Sequence, residues 1–198
     1  MTRRPAGITP SQTAGPFFAF ALTPAAPYTY AGLVGNDLLS EDTVGTPIAI
    51  AGRVIDGNGD GVPDAFVEIW QADGAGRYSS QTSGANSAFR GFGRAGVDAS
   101  GAFSFATVKP GVVAGPEGKP QAPHINVSIF SRGVVRRMFT RIYFEGEAAN
   151  DSDAILALVP AERRATLIAR RDGLVDGRAR YVFDIRLQGE NETVFFEA

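Results

Sequence analysis

The single histidine of the chain lies where a second histidine would complete a metal-binding pair. In the segment QAPHINVSIF, residues 121–130, His124 is followed two positions later by Asn126. Residues i and i+2 of a β-strand point to the same face, so a His-x-His pair can hold one ion with both rings. Asn126 offers only a weak amide oxygen in that place. On spacing alone, we expect His124 to be a hydrogen-bonded structural residue, and a metal site would need distant residues.

The segment DGNGDGVPDAFVE, residues 56–68, imitates the first half of a calcium loop. The bidentate glutamate of such a loop belongs at its twelfth position, which is Val67, and Glu68 comes one residue late. The flanks are strand-like rather than helical. The segment is therefore interpreted as a glycine-rich β-turn.

The segment GFGRAG, residues 91–96, has the glycine spacing of a dinucleotide-binding fingerprint. That fingerprint needs a preceding strand and a helix that opens at the last glycine, whereas a hairpin-like pattern follows here. We expect a bend or bulge instead.

Composition excludes several classes of protein. There is no cysteine, so disulfides, thiolate metal sites and cysteine nucleophiles are absent. A net charge of −2 gives no basic bias towards nucleic acid or an anionic membrane. A lone histidine without a Gly-x-Ser-x-Gly elbow does not favour a serine hydrolase. Neither a signal peptide nor a membrane span is indicated, and we expect a cytoplasmic protein.

The patterns that must position any site are mainly β. Alternating or β-branched runs predict an all-β chain with a β-sandwich core and strands at 48–55, 65–72, 101–108, 124–130, 137–144 and 180–187. The glycine-rich turn between the first two is hairpin-like. In the last run, Tyr181, Phe183, Ile185 and Leu187 share one face. Residues 159–173 predict one short helical segment, with Pro160 in its first turn and Gly173 as its stop.

Residues 1–46 are expected to form an irregular N-terminal arm, and residues 47–198 the sandwich domain. The arm is not disordered by composition, because it contains the large apolar side chains Phe17, Phe18, Phe20, Leu22, Tyr28 and Tyr30. These side chains need a surface to bury against. Either the chain's own core or another subunit could provide it.

Several ordered segments resemble the intradiol ring-cleavage dioxygenases. The likeness covers residues 47–197 and rests on DGNGDGVPDAFVEIWQADGAGRY, FRGFGRAGVDASGAFSFATVKPG, APHINVSIF, FTRIYFEGE and RYVFDIRLQGENETVFFE. The resemblance implies a β-sandwich and, in catalytic members, a ferric iron held by two tyrosines and two histidines. Phenolates stabilise Fe(III), and a catechol bound to it is activated for attack by dioxygen.

Carried over position by position, that ligand set is incomplete in this chain. The first tyrosine matches Tyr78 and the first histidine matches His124, but the second tyrosine falls at Val113 and the second histidine at Asn126. A supporting arginine falls at Gln121. We therefore expect no metal and no catalytic residue in this chain, with His124 as a remnant.

One branch of the family pairs such a metal-free alpha subunit with a related beta subunit that carries the Fe(III). The segments TPSQTAGPF, KPGVV, APHIN and NETVFF resemble that alpha subunit. The resemblance implies an iron-bearing beta subunit as partner, an aromatic dihydroxy acid as substrate, and a substrate pocket at the interface of the two chains. It assigns substrate-binding roles to Thr13, Gly15 and Pro16, and to Arg132, whose guanidinium could pair with a carboxylate.

Two other functions remain open at this stage. An independent enzyme could use Tyr78 and His124 with Tyr143 or Glu145 as further ligands, which a metal assay on the single chain would decide. A non-enzymatic β-sandwich binding module is also compatible with the strand pattern. The absence of a neighbouring gene for a chain with all four ligands would favour that module.

Overall fold

A computed structural model describes residues 12–13, 15, 18–23, 34–41, 43–79, 89–115 and 118–197. These ranges are mainly β-strands: β1 Pro47–Ile55, β2 Phe66–Gln71, β3 Phe92–Gly96, β4 Ala102–Val108, β5 Val113–Ala114, β6 Pro120–Gln121, β7 Ile125–Phe130, β8 Met138–Phe144, β9 Ile168–Val175, β10 Arg178–Val182 and β11 Ile185–Arg186. Short helices are α1 Phe18–Leu22 and the 3-10 helices Ala148–Ser152, Leu156–Leu158 and Ala161–Leu167.

The strands form two layers that share one edge. One layer has the order β4-β1-β10-β9, with β11 added to β1, and the other has the order β8-β7-β2-β3. A short parallel pairing of Tyr143 with Ile168 and of Phe144 with Ala169 joins β8 to β9. The all-β sandwich prediction is confirmed.

Side-chain alternation builds one core between the layers. Buried residues from both layers belong to a single cluster that includes Ile48, Ile50, Val67, Ile69, Phe103, Phe105, Val127, Ile129, Ile142, Tyr181 and Ile185. Successive side chains of a strand point to opposite faces. The intervening residues of β2, β7 and β8 therefore face outward.

The predicted strands agree with the structure except in three places: one strand is divided in two, and two glycine-rich segments adopt structures other than those predicted. The predicted strand at 180–187 is divided into β10 and β11, although Tyr181, Phe183 and Ile185 are buried on one face as expected. Between the two strands, the Asp184 carboxylate accepts the Arg53 N–H at 2.9 Å and interrupts the backbone ladder.

The predicted hairpin between β1 and β2 is wrong. β1 pairs with β4, β10 and β11, and β2 pairs with β3 and β7, so the two strands lie in different layers. The connecting segment is nevertheless a tight turn, in which the Asp56 carboxylate accepts the N–H groups of Asn58 and Asp60. These backbone contacts are those of a glycine-rich turn, as the sequence predicted.

The predicted bend at residues 91–96 is also wrong, because residues 92–96 form β3. A Cβ on Gly93 would collide with the Leu38 side chain, which packs over this strand. Glycine at this position lets the Leu38 side chain approach the strand closely.

The helical segment is predicted correctly only at its start. The 3-10 helix ends at Leu167, and the chain then enters β9. Leu167 and Ala169 are buried with the period of a strand, and pairing of Ile168 and Ala169 with β8 outweighs the local helical pattern. Gly173, predicted as a helix stop, lies within β9 with φ +71°.

The described part of the arm contacts the chain's own sandwich. Phe18 packs on Phe66 and Phe130, with ring centroids 5.5 and 6.4 Å apart. The Leu38 N–H donates to the Ala106 carbonyl of β4 at 2.8 Å. Phe17, Tyr28 and Tyr30, and the side chain of Phe20, lie outside the described residues.

Among the helices of the described ranges, none has the length and apolar character needed to cross a bilayer. The cytoplasmic location stays a prediction.

A buried aspartate fixes the segment that covers the outer face of β8. Asp153 is 1% exposed. One carboxylate oxygen accepts the Ala122 N–H at 2.8 Å, and the other accepts the N–H groups of Ile155 and Leu156 and the Tyr143 hydroxyl. The carboxylate therefore ties the approach to β7, strand β8 and the first turns after β8 together.

Replacement of Asp153 by alanine is expected to lower the free energy of unfolding by about 3 kcal/mol, because buried N–H groups lose a charged acceptor. Urea unfolding of the full chain measures this change. Asp151→Ala is the control, since that carboxylate is exposed on the same segment, and it should change stability by less than about 0.5 kcal/mol. Equal effects of the two substitutions would contradict the role of Asp153.

Candidate functional site

Two of the four predicted substrate-binding residues lie next to each other. The connection between β7 and β8 contains Arg132 and Gly133, and the Gly133 N–H donates to the Thr13 hydroxyl oxygen at 2.7 Å. Gly133 has φ +80°, a conformation that glycine adopts without strain. The arm is thus attached to the loop that presents Arg132, although 120 positions separate the two partners in sequence.

Arg132 is held from one side only. Its Nε donates to one carboxylate oxygen of Asp64, and the Ser131 hydroxyl donates to the other oxygen at 3.0 Å. The Arg132 side chain is 61% exposed, and its terminal nitrogens have no partner within the described ranges. A guanidinium oriented through Nε keeps its outer N–H groups available for a carboxylate or another planar acceptor.

The other two predicted residues are less defined. Gly15 is exposed, and its carbonyl accepts the Phe18 N–H at 3.0 Å at the start of α1. Pro16 lies outside the described residues. The structure therefore brings Thr13 and Arg132 together, and the roles of Gly15 and Pro16 stay predictions.

The second location of interest is the position of the family's metal ligands. Tyr78 follows a loop in which the Asp73 carboxylate accepts the N–H groups of Ala75 and Arg77. The Tyr78 ring stacks on Trp70 with centroids 5.9 Å apart, and its hydroxyl hydrogen-bonds with the Asn126 side chain. Burial raises the pKa of Tyr78 above its usual value, which favours the neutral phenol over the phenolate that iron requires.

His124 is a satisfied buried imidazole, as predicted. It is 3% exposed, and its Nδ1 lies 2.7 Å from the Ala122 carbonyl oxygen, which fixes the proton on that nitrogen. Burial, reinforced by the positive charge of Arg141, lowers the pKa of His124 to about 4. The imidazole is therefore neutral at neutral pH.

Arg141 is the residue that sequence reasoning missed. It lies opposite Asn126 in the register of β7 and β8 and donates to the Gln121 side-chain oxygen at 2.8 Å. Its charge acts on the pKa values of Tyr78 and His124, so the guanidinium lies near both. The alternation of β8 placed Arg141 on the outer face, but only the pairing of β7 with β8 shows what it faces. The supporting arginine expected at position 121 is replaced by Gln121, but Arg141 brings a positive charge to the same place.

Of the two further ligands considered for an independent enzyme, Tyr143 lies beside His124, with ring centroids 6.0 Å apart, and its hydroxyl is 3.5 Å from the Arg141 guanidinium. Tyr143 is fully buried and donates to Asp153, and burial raises its pKa to about 12. The Glu145 carboxylate is exposed and accepts the Arg171 N–H at 2.8 Å. Neither side chain is available as an anionic donor beside Tyr78 and His124.

The residues present do not fit a ferric centre. Val113 has no donor atom, Asn126 is already bonded to Tyr78, and both buried phenols are held neutral. The Arg141 guanidinium adds a positive charge to the same space and opposes a second cation. We therefore derive no metal chemistry from this chain.

Comparisons with known proteins agree with this description. Residues 21–189 match the Dioxygenase family. The chain is 46% identical over 194 residues to the protocatechuate 3,4-dioxygenase alpha chain of Burkholderia cepacia, and 48% identical over 195 residues to that of Pseudomonas putida, with 96% of each chain covered. It is also 36% identical to the beta chain of the Burkholderia enzyme over 81% of this chain and 72% of that one.

A solved structure supports the fold. The 3-chlorocatechol 1,2-dioxygenase of Rhodococcus opacus 1CP aligns with a TM-score of 0.65 at 22% identity, covering 81% of this chain and 69% of that chain. At this identity the likeness concerns the sandwich alone. Together with the family match over residues 21–189, the similarity to the alpha and beta chains confirms that this chain belongs to the intradiol dioxygenase family.

Proposed function

We propose that this chain is the non-iron-binding alpha subunit of a protocatechuate 3,4-dioxygenase. In this role it completes the substrate pocket of a ferric beta subunit, which cleaves 3,4-dihydroxybenzoate with dioxygen to 3-carboxy-cis,cis-muconate. The observation that carries the proposal is the similarity to two alpha chains over 96% of the length, in a chain whose own donors do not fit iron.

The proposed partner is a related chain that carries the iron. The family match extends to a beta chain at 36% identity, so the two kinds of subunit share one fold and can pack through similar surfaces. Fe(III) bound by that partner would activate the catechol. The task left to this chain is to bind and orient the substrate.

Arg132 is suited to that task by its geometry. Asp64 holds the Nε side of the guanidinium, which leaves the terminal N–H groups for the carboxylate of the substrate. Such a charge-assisted contact contributes about 1.5–3 kcal/mol. Arg132 is exposed within this chain, as a residue that reaches across a subunit interface must be.

The arm, residues 1–46, is proposed to lie at the same interface. Its contact with the Arg132 loop passes through Thr13. The substrate-binding roles of Gly15 and Pro16 are part of this proposal and are supported by the similarity to the two alpha chains. The exposed aromatic Phe18 adds apolar area near this edge, and its burial by a partner would favour assembly. The division between arm and sandwich at residue 46 rests on this proposal.

The purified single chain is expected to bind essentially no iron and to leave protocatechuate uncleaved. Co-expression with the proposed beta partner should give a complex that contains iron and cleaves the ring. Metal analysis and oxygen consumption measure both properties. Stoichiometric iron and activity in the single chain would overturn the proposal, and failure to form any complex would favour a non-enzymatic binding module.

In the assembled enzyme, Arg132→Ala should raise the KM for protocatechuate by about tenfold or more, because a carboxylate contact is lost. The KM for catechol, which has no carboxylate, should change much less. Steady-state kinetics with both substrates measure the difference. Arg136→Ala, an exposed arginine in the same loop, is the control. An equal rise for both substrates would remove the carboxylate role.

Thr13→Val should also raise the KM for protocatechuate, since the Gly133 N–H loses its acceptor and the loop with Arg132 is less well held. Thr13→Ser keeps the hydroxyl and should behave like the unmodified enzyme. The expected rise is a few fold, corresponding to about 1 kcal/mol for one neutral hydrogen bond. If valine and serine gave the same kinetics, the hydrogen bond would have no part in binding.

A further inference from the structure

A cavity of about 510 Å³ lies on the outer face of the sheet that contains β2, β7 and β8. Two rows of side chains that cross these strands form its floor. One row is Trp70, Asn126 and Arg141, and the other is Glu68, Ser128 and Phe139. The volume is within the range of about 300–1,000 Å³ that small-molecule sites occupy. The cavity is large enough for a single benzene ring with substituents.

The cavity has an excess of positive charge. Arg137 and Arg141 both line it, and in the described part of the chain neither forms an ion pair. The one carboxylate on the wall, Glu68, is already bound by two nitrogens of Arg94. Two guanidiniums without carboxylate partners at one cavity attract an anion.

The same cavity has an aromatic wall. Trp70 is 37% exposed, with its ring stacked on Tyr78 and tilted against Phe92. Phe92 and Phe139 also line the space. An indole fixed by neighbouring rings offers a flat surface for a ligand ring. Asn126 and Ser128 add polar groups between this wall and the arginines.

We propose that this cavity is a binding site for an aromatic carboxylate. The carboxylate pairs with Arg141 and Arg137, and the ring lies against Trp70. The proposal concerns non-covalent binding only. The side chains that line the cavity include no nucleophile paired with a base, so no covalent step is proposed there. This site belongs to the chain itself and does not depend on the proposed role of Arg132.

Two features of the cavity exclude other classes of ligand. A metal cation is opposed by both guanidiniums, while the nearest carboxylate is already engaged by Arg94. A neutral ring would fill the apolar wall but would leave two cations without a partner. An anion that also carries a ring satisfies both halves of the cavity.

Trp70 is the only tryptophan of the chain, so intrinsic fluorescence of the purified full chain reports on this cavity directly. Benzoate is the probe, and benzamide and acetate are matched compounds that lack the charge or the ring. We expect benzoate to change the Trp70 emission and to bind at least about tenfold more tightly than either compound. Calorimetric titration gives the three affinities independently.

Arg141→Gln and Arg137→Gln should each weaken benzoate binding by about tenfold or more. Arg136→Gln removes the preceding arginine, which does not line the cavity, and should leave the affinity unchanged. Arg137 is exposed, so its variant tests the proposal even where the Arg141 variant fails to fold. Absence of benzoate binding would overturn the proposal. So would equal affinity for benzamide or acetate, equal losses in all three variants, or heat release without a change in Trp70 emission.

Discussion

The alternation of side chains along β7 and β8 is the constraint on which the core and the outer surface both depend. Ile125, Val127 and Ile129 point inward and are fully buried, whereas Asn126 and Ser128 point outward. The two faces make separate side-chain contacts, so an outer residue can differ without replacing an inner contact. The sandwich can therefore keep its architecture while the outer residues exchange metal donors for other side chains.

The outer face in this chain is organised around a guanidinium. Arg141 lies beside Gln121 and acts electrostatically on His124 and Tyr78, so these groups form a polar cluster without an anionic donor. Burial keeps the phenol and the imidazole neutral, which is the state that tolerates a nearby cation. Val113 and Asn126 provide no anionic donor, and Arg141 adds a positive charge. Both features disfavour a bound metal cation.

The residues proposed to contact substrate depend on a different part of the fold. Thr13 and Arg132 come from opposite ends of the chain's first two thirds and meet because the arm crosses the loop between β7 and β8. Asp64 and Ser131 orient the guanidinium from behind, while its front remains exposed. A binding group that is positioned by its own chain but open on one side is suited to a pocket completed by a second subunit.

The sequence by itself determined the strand positions, the inward faces and the lack of donors at Val113 and Asn126, since alternation and side-chain chemistry are local properties. Local patterns also misled where long-range pairing prevailed: β1 and β2 do not form a hairpin, residues 92–96 are a strand, and the helix ends at Leu167. Only the tertiary structure decided that Arg141 lies opposite Asn126, a position that matches a metal ligand of the family, and that Thr13 contacts Gly133. Such contacts join residues distant in sequence, and strand pairing and packing select them rather than any pattern within one segment.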